Sequence, residues 1–421
     1  MQPVFSTLGA TVGLALSIVL VLLRMQPAYA LMAGAFIGGL AGGGGLAATT
    51  AHAVSGAQGM TPAILRILDS GVLAGALIRT GSAERIARAI VGTLGRRFAI
   101  SAIAIASLVV CAVGVFIDIS VITVAPVALA VARRANLSTA SILVALVGGG
   151  KAGNIISPTP NTIATAEAFK VDLTALMAAN ILPALAALAA TILLAGWIAR
   201  RAESKAVVPD VLPAAPTDVK IPPLWAALAG PAAVVALLAL RPVAGVTVDP
   251  FLALPLGGIA SIAATGNLRS GFAIAEFGLS KVAGVAVLLL GTGTVAGIVK
   301  ASALQGDMVA LLNAAHLPAF VLAPVSSVLL AGATASTTAG ATIAAQTFAP
   351  ALADAGVPAL GAAAMVHAGS TVLDTLPHGS FFHSSGGAVF MDIRARLRLI
   401  PFDIAVGLVS TLASVAVYLV R

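Results

Sequence analysis

Charge is nearly missing from this sequence. Asp, Glu, Lys and Arg make up 9% of its 421 residues against 59% hydrophobic, and the mean hydropathy is +1.08. A soluble domain carries about a quarter charged residues, so no water-facing shell can be assembled here and a soluble globular fold is excluded. Aromatic residues are also few, 4% against 43 glycines, so helices must approach through small side chains, as they do in membrane bundles. Cysteine is almost absent. The single one, Cys111, lies in an apolar run, reads as a packing residue, and rules out disulfides and multi-cysteine metal sites. No segment is long and polar enough for a nucleotide-hydrolysing domain. The Gly42 to Gly45 run lacks the Lys-Ser/Thr ending of a phosphate loop and reads as a packing site or bend. There is no His-Glu-x-x-His and no Asp-rich diphosphate motif. Neither an enzyme, a metal nor a cofactor is expected. The net charge of +8 would suggest nucleic acid in a soluble protein, but the basic residues lie in short loops between apolar runs, where they set topology.

What is present is apolar sequence in helix-length pieces. The expectation is an all-α polytopic membrane protein with crossings near 4–23, 28–47, 61–79, 140–167, 173–199, 223–241, 249–266, 280–299, 357–385 and 400–420. The first run has no basic n-region, so it reads as a helix despite the faint cleavage-site look of Ala28-Tyr29-Ala30. Two stretches, about 98–132 and 318–353, are too long for one crossing and carry small or polar residues at their middles, Phe116 to Ser120 and Thr334 to Thr338. Each fits a re-entrant hairpin.

Charge tests that arrangement. Placing Arg24 on the cytoplasmic side and alternating puts 17 basic residues inside, Arg394, Arg396 and Arg398 among them. Only Lys170, Arg241, Lys300 and Arg421 fall outside, with Arg66 and Lys151 in the membrane. Both termini are then periplasmic. Each half has five crossings, a surface segment, a hairpin and a broken helix, so two inverted repeats are expected, 1–199 and 223–421, joined by a cytoplasmic linker at 200–222. Ala74 to Arg79 and Ala296 to Lys300 are weak echoes at matching places. Ala83 to Arg97 has the pattern of a helix lying on the inner surface.

The chemistry gathers at two interruptions. Gly148 to Thr162, GGGKAGNIISPTPNT, cannot run as one helix, because the glycines weaken it and Pro158 and Pro160 remove backbone donors. The second interruption runs from His367 to Ser380 and contains Pro377. Irregular backbone at membrane depth is tolerated only inside protein or along a watery cavity. Matched breaks in two halves point to a midplane site. Half-helix N-termini suit a carboxylate, and Ser, Thr and Asn groups suit hydroxyls. The candidate substrate-binding residues are Lys151, Asn154, Ser157, Thr159, Asn161, Thr162, Ser336, Thr337, Thr338, Ser370 and Thr371. The candidate proton carriers are Asp118, Asp374, His367 and His378.

These residues carry a family resemblance. Arg79-Thr80-Gly81-Ser82-Ala83-Glu84-Arg85-Ile86-Ala87, Phe116-Ile117-Asp118, Gly150-Lys151-Ala152-Gly153-Asn154 and Asp374-Thr375-Leu376-Pro377-His378 resemble the gluconate/proton symporter family of the wider ion-transporter superfamily, over residues about 60 to 395. The resemblance implies proton-coupled uptake of gluconate or a related hydroxy-carboxylate across a bacterial inner membrane, and dimers are common in that superfamily. Members associated with gluconate carry Pro-Pro-His-Pro in the first break. Here it reads Ser157-Pro158-Thr159-Pro160, so a shorter acid such as 3-hydroxybutyrate stands beside gluconate.

Each polar residue has a plainer reading too. Arg66 and Asp69 are three apart, the spacing of an ion pair on one helix face. Asp118 could accept backbone N–H groups at a hairpin tip. Lys151 could be neutralised by Asp118 or Asp374 instead of drawing in a carboxylate, and His367 and His378 could be hydrogen-bonded spacers. His52, His316 and His383 read as loop or boundary residues. A cation/proton antiporter or a sodium-coupled carboxylate symporter is the alternative to a proton-coupled one.

Overall fold

A computed structural model describes residues 4–94, 98–201, 221–244, 248–304 and 318–420, together with 246, 306, 307, 310 and 314. Most of the expected linker, 202–220, lies outside the described residues, as do Arg96, Arg97, His316 and Arg421. Among the described residues the chain is helical, and its one bridge joins Phe5 to Ser302.

The first series runs α1 (Thr7–Leu22), α2 (Pro27–Ala41), α3 (Gly45–Gln58), α4 (Thr61–Arg79), α5 (Ser82–Leu94), α6 (Ala99–Ala112), α7 (Ile117–Ala135), α8 (Thr139–Asn154), α9 (Pro160–Ala168), α10 (Leu173–Ala179) and α11 (Ile181–Arg200). The second runs α12 (Leu224–Ala244), α13 (Pro250–Ala264), α14 (Gly271–Lys300), α15 (Leu322–Thr334), α16 (Thr337–Asp354), α17 (Ala359–Gly369), α18 (Ser380–Ala388), α19 (Ile393–Leu397) and α20 (Ile400–Val420). Four helical runs, α4, α11, α14 with its preceding turn, and α19–α20, are each long and apolar enough to cross a membrane. Large apolar side chains along them face outward, Leu193 and Trp197 of α11 and Leu412 of α20 among them. The chain is a multi-pass membrane protein.

The two series keep register with each other. α7 and α16 begin 220 residues apart at Ile117 and Thr337, and the same interval separates the starts of α8 and α17, α9 and α18, α10 and α19. Left-handed turns recur at it as well, at Asn136 and Gly356 and at Lys170 and Phe390. Packing is reciprocal. α4 lies on α13 and α14 on α2, while α9 lies on α16 and α7 on α18.

Small residues set the centre, as composition requires. A Cβ on Gly278 would stand 2.0 Å from the Gly71 carbonyl oxygen, and one on Gly56 would stand 2.1 Å from that of Gly293. α3 and α4 therefore follow one another along nearly the whole of α14 at backbone contact.

Several expectations about the helices are corrected. α3 is a helix where a loop was expected, which places His52 inside a helix with its ring edge against Phe5. It is separated from α4 because Pro62, in the first turn of α4, has no amide to continue the ladder. The crossing expected at 280–299 spans 271–300, and the one at 173–199 bends at Asn180. α5 is amphipathic as expected, with Ile86, Ala87 and Val91 buried.

Each suspected hairpin is two helices joined by a tight turn. Gly114, at φ +111°, turns α6 into α7, and Ala335, at φ +45°, turns α15 into α16. Both tips rest on the break of their own series: Ile117 against Gly150 and Ala335 against Gly379. Both breaks are present. α8 stops at Asn154 and α9 restarts at Pro160; α17 stops at Gly369 and α18 restarts at Ser380.

Candidate functional site

The two breaks come together in the protein interior. Lys151, in the last turn of α8, is 1% exposed and reaches into the second break. Its ammonium donates to the main-chain carbonyls of Thr371 at 2.6 Å and Asp403 at 3.0 Å, and it pairs with Asp374 Oδ1 at 2.8 Å. The Thr375 hydroxyl lies at 3.5 Å, so the ammonium sits among three neutral oxygens and one carboxylate. Asp374 Oδ2 accepts from the Thr337 hydroxyl at 2.6 Å, which ties the second hairpin to the pair. Of the two plainer readings of Lys151, neutralisation by Asp374 is the one found.

The reverse contact runs from the second series to the first. His367, on α17, is wholly buried, and Asn161 Nδ2 on α9 donates to its Nε2 at 2.7 Å. With the Asn161 amide so placed, Nε2 is the accepting nitrogen of the ring, and the Asn180 side-chain nitrogen lies 3.5 Å from the other, Nδ1. The first break is bound to itself. The Thr159 hydroxyl donates to Asn161 Oδ1 at 2.9 Å with Asn154 Oδ1 at 3.3 Å, Thr162 donates to the Ser157 carbonyl, and Ser157 donates to the Cys111 carbonyl on α6.

The remaining candidates are more scattered. Ser370 donates to the His367 carbonyl and Thr371 to that of Ala368, so both hydroxyls cap α17. Ser336 is the N-cap of α16, accepting from Ala339 N–H, and Thr338 is half-buried in the same turn. Asp118 is half-buried in the first turn of α7, beside the tip that rests on the first break. His378 is exposed and donates to the Ala333 carbonyl at 3.3 Å, away from the buried pair. His383 lies on α18 and not in a loop, and it donates to the Pro377 carbonyl.

Two further arrangements differ from expectation. Arg66 does not pair with Asp69; its fork takes both oxygens of Asp249 at 3.0 and 2.8 Å, and its other terminal nitrogen meets Glu167. A planar guanidinium gains more from a bidentate carboxylate on a neighbouring helix than from a short side chain one turn along its own. Arg396, placed on the cytoplasmic side by the charge count with no partner named, is 1% exposed and paired with Asp403 at 2.7 Å, with its guanidinium over the Phe382 ring. An acid four residues into the last apolar run is a readable signal. Nothing in Arg394-Ala-Arg396-Leu-Arg398 distinguishes the middle arginine.

A family model described as GntP family permease matches residues 5–255. The chain belongs to the GntP family of permeases. The permease is 47% identical over 413 residues to a protein named "Uncharacterized transporter" from Haemophilus influenzae, covering 98% of each chain. A second Haemophilus influenzae protein, named "Uncharacterized permease", is 28% identical over 180 residues, 42% of this chain and 37% of that one. Among solved structures, the Alcanivorax borkumensis YdaH transporter, described as having an unusual topology, superposes with a TM-score of 0.59 over 88% of the permease and 87% of its own chain. At 18% identity this is a likeness of fold. The permease is thus a membrane transporter with a buried charged cluster where its two broken helices meet.

Proposed function

We propose that the protein is a secondary transporter that takes up a small hydroxy-carboxylate, such as gluconate or 3-hydroxybutyrate, together with protons across a bacterial inner membrane. The observation that carries this is the buried Lys151–Asp374 pair, because it joins the broken helices of the two series. A buried ion pair is stable only while both charges are present. A proton on Asp374 removes the counter-charge from Lys151, and a substrate carboxylate restores it. The anion and the proton therefore enter the site as a neutral set. Loss of the proton to the cytoplasm lets Asp374 recover the ammonium and expel the anion.

The hydroxyls of the substrate fit the groups around the first break. Asn154, Thr159, Asn161 and Thr162 lie buried in the break that follows Lys151, and Thr159 bonds to both asparagines, an arrangement that a polyhydroxy ligand can exchange into bond for bond. His367, bridged to Asn161, is the route by which occupancy of the first break reaches α17.

The 220-residue register supports two repeats, 1–199 and 223–421, linked by 200–222. Their charge pattern supports an inverted pairing with both hairpins re-entrant and both termini periplasmic. Alternating access is then a rocking of one set of helices about the buried cluster.

Proteoliposomes with an imposed inward proton gradient and no Na⁺ provide the test. Accumulation of labelled 3-hydroxybutyrate or gluconate is expected, and D374N abolishes it while leaving counterflow exchange. Accumulation that starts only when Na⁺ is added would replace protons by sodium in this reading.

A further inference from the structure

The pair Arg396–Asp403 is as buried as Lys151–Asp374 and stands next to it, yet its own side chains touch neither Lys151 nor Asp374 among the contacts the structure shows. The carboxylate of Asp403 faces Arg396, and the link to Lys151 is made by the main-chain carbonyl of Asp403, 3.0 Å from the ammonium. Asp403 lies in the first turn of α20. One turn further, on the same face, is Gly407, where a Cβ would stand 2.5 Å from the Thr371 carbonyl oxygen. Thr371 supplies the second carbonyl on Lys151. A single face of α20 thus positions both carbonyls on Lys151, one through its own backbone and one through the close approach that a glycine permits.

What fixes that face is Arg396. It reaches from α19 across the bend at Arg398–Leu399 onto Asp403, stacks over Phe382 of α18 at 5.1 Å, and lays its stem over Gly386, where a Cβ would stand 3.5 Å from it. α18 follows the second break directly. The ion pair therefore ties three elements, α18, α19 and α20, around the place where the break docks.

We infer that Arg396 and Asp403 are a positioning pair for the substrate carboxylate: by holding the Asp403 carbonyl on Lys151 they keep the ammonium seated on neutral oxygens and leave its one charged contact exchangeable between Asp374 and the ligand. This rests on the reading of Lys151 given above. The distances support the division of labour. Two carbonyls carry no charge and cannot balance the ammonium, and Asp403 cannot do so while its carboxylate serves Arg396, so the charge balance of Lys151 falls to Asp374 or to whatever anion replaces it.

The test uses uptake kinetics of the full-length protein in proteoliposomes with 3-hydroxybutyrate and gluconate as probes, comparing wild type, R396Q/D403N and R396K. The double variant removes both buried charges together, so no lone charge is left to unfold the protein, and a thiol-dye melt on buried Cys111 checks that it is folded. Loss of one carbonyl bond to an ammonium predicts a KM raised roughly tenfold or more, with the maximal rate within about twofold. R396K keeps a cation on Asp403 and is expected to return KM to within about twofold of wild type. A folded R396Q/D403N with wild-type KM overturns the inference. So does a maximal rate that falls while KM stays put, or an equal rise of KM in R396K. Wild-type protein that takes up neither acid overturns the reading of the site, and the inference with it.

Discussion

Removing Lys151 alone is the sharpest perturbation available. The side chains of Lys151 and Asp374 are 1% and 0% exposed, so solvent does not screen the pair and the small energies of surface salt bridges do not apply. Truncating one partner of a buried pair costs about 3–5 kcal/mol, because the other charge is left without compensation. At about 1.4 kcal/mol per factor of ten, that lowers the folded-to-unfolded ratio by roughly a hundredfold to a few thousandfold. K151M keeps the stem and leaves Asp374 with Thr337 only; D374N leaves the ammonium on two carbonyls, the Thr375 hydroxyl and a neutral amide. Joint replacement behaves differently. K151M/D374N buries no net charge, and apolar or neutral exchange of a buried pair is often close to neutral in stability. The assay is already built into the chain. Cys111 is the one cysteine and is fully buried, so a fluorogenic maleimide reports unfolding of each variant in detergent. The expected order of melting is wild type about equal to K151M/D374N, with both single variants well below, while the double variant shows no gradient-driven uptake. Single variants that melt with wild type would refute the idea of an uncompensated buried charge. A double variant that still accumulates substrate against a pH gradient would remove the pair from the coupling step.

Three other outcomes follow from the same structure. Butyrate should be taken up with a KM higher than that of 3-hydroxybutyrate, since each buried Asn or Thr left without its partner costs about 1–3 kcal/mol, and equal uptake of the two would argue against a hydroxyl-reading site. Gly278→Leu should abolish folded protein in the membrane, because its Cβ would meet the Gly71 carbonyl oxygen at 2.0 Å, whereas Gly284→Leu, with nothing within 4 Å, should express normally; comparable yields would contradict the close α4–α14 crossing. In a background lacking Cys111, single cysteines at positions 97 and 133 should label from the same side of the membrane, and labelling from opposite sides would make the α6–α7 hairpin a crossing.

Much of this protein follows from local sequence. Scarce charge and long apolar runs leave only a membrane bundle, and Pro158, Pro160 and Pro377 interrupt helices wherever the chain goes, because a missing amide is a property of the residue. Both breaks and both helix pairs at 98–132 and 318–353 were therefore legible. Other boundaries were not. The α3 segment, GLAATTAHAVSGAQ, has too little hydropathy to be read as a crossing, and it is helical because Gly56 brings its backbone onto Gly293 and Gly297 of α14. Partners were legible least of all. Sequence spacing joined Arg66 to Asp69 and left Lys151 between two aspartates, but the choice of Asp249, Glu167 and Asp374 depends on helices 100 to more than 200 residues away. Arg396 makes the point most fully. By composition it is one of three arginines in a basic loop, and only the bend between α19 and α20 turns it inward onto Asp403, because a buried guanidinium is tolerable solely where a carboxylate and an aromatic face already wait for it. Residue types fixed where the chain breaks and which groups could carry charge; the tertiary packing decided which charges meet, since pairing energy depends on distance and burial and neither is a property of a single residue.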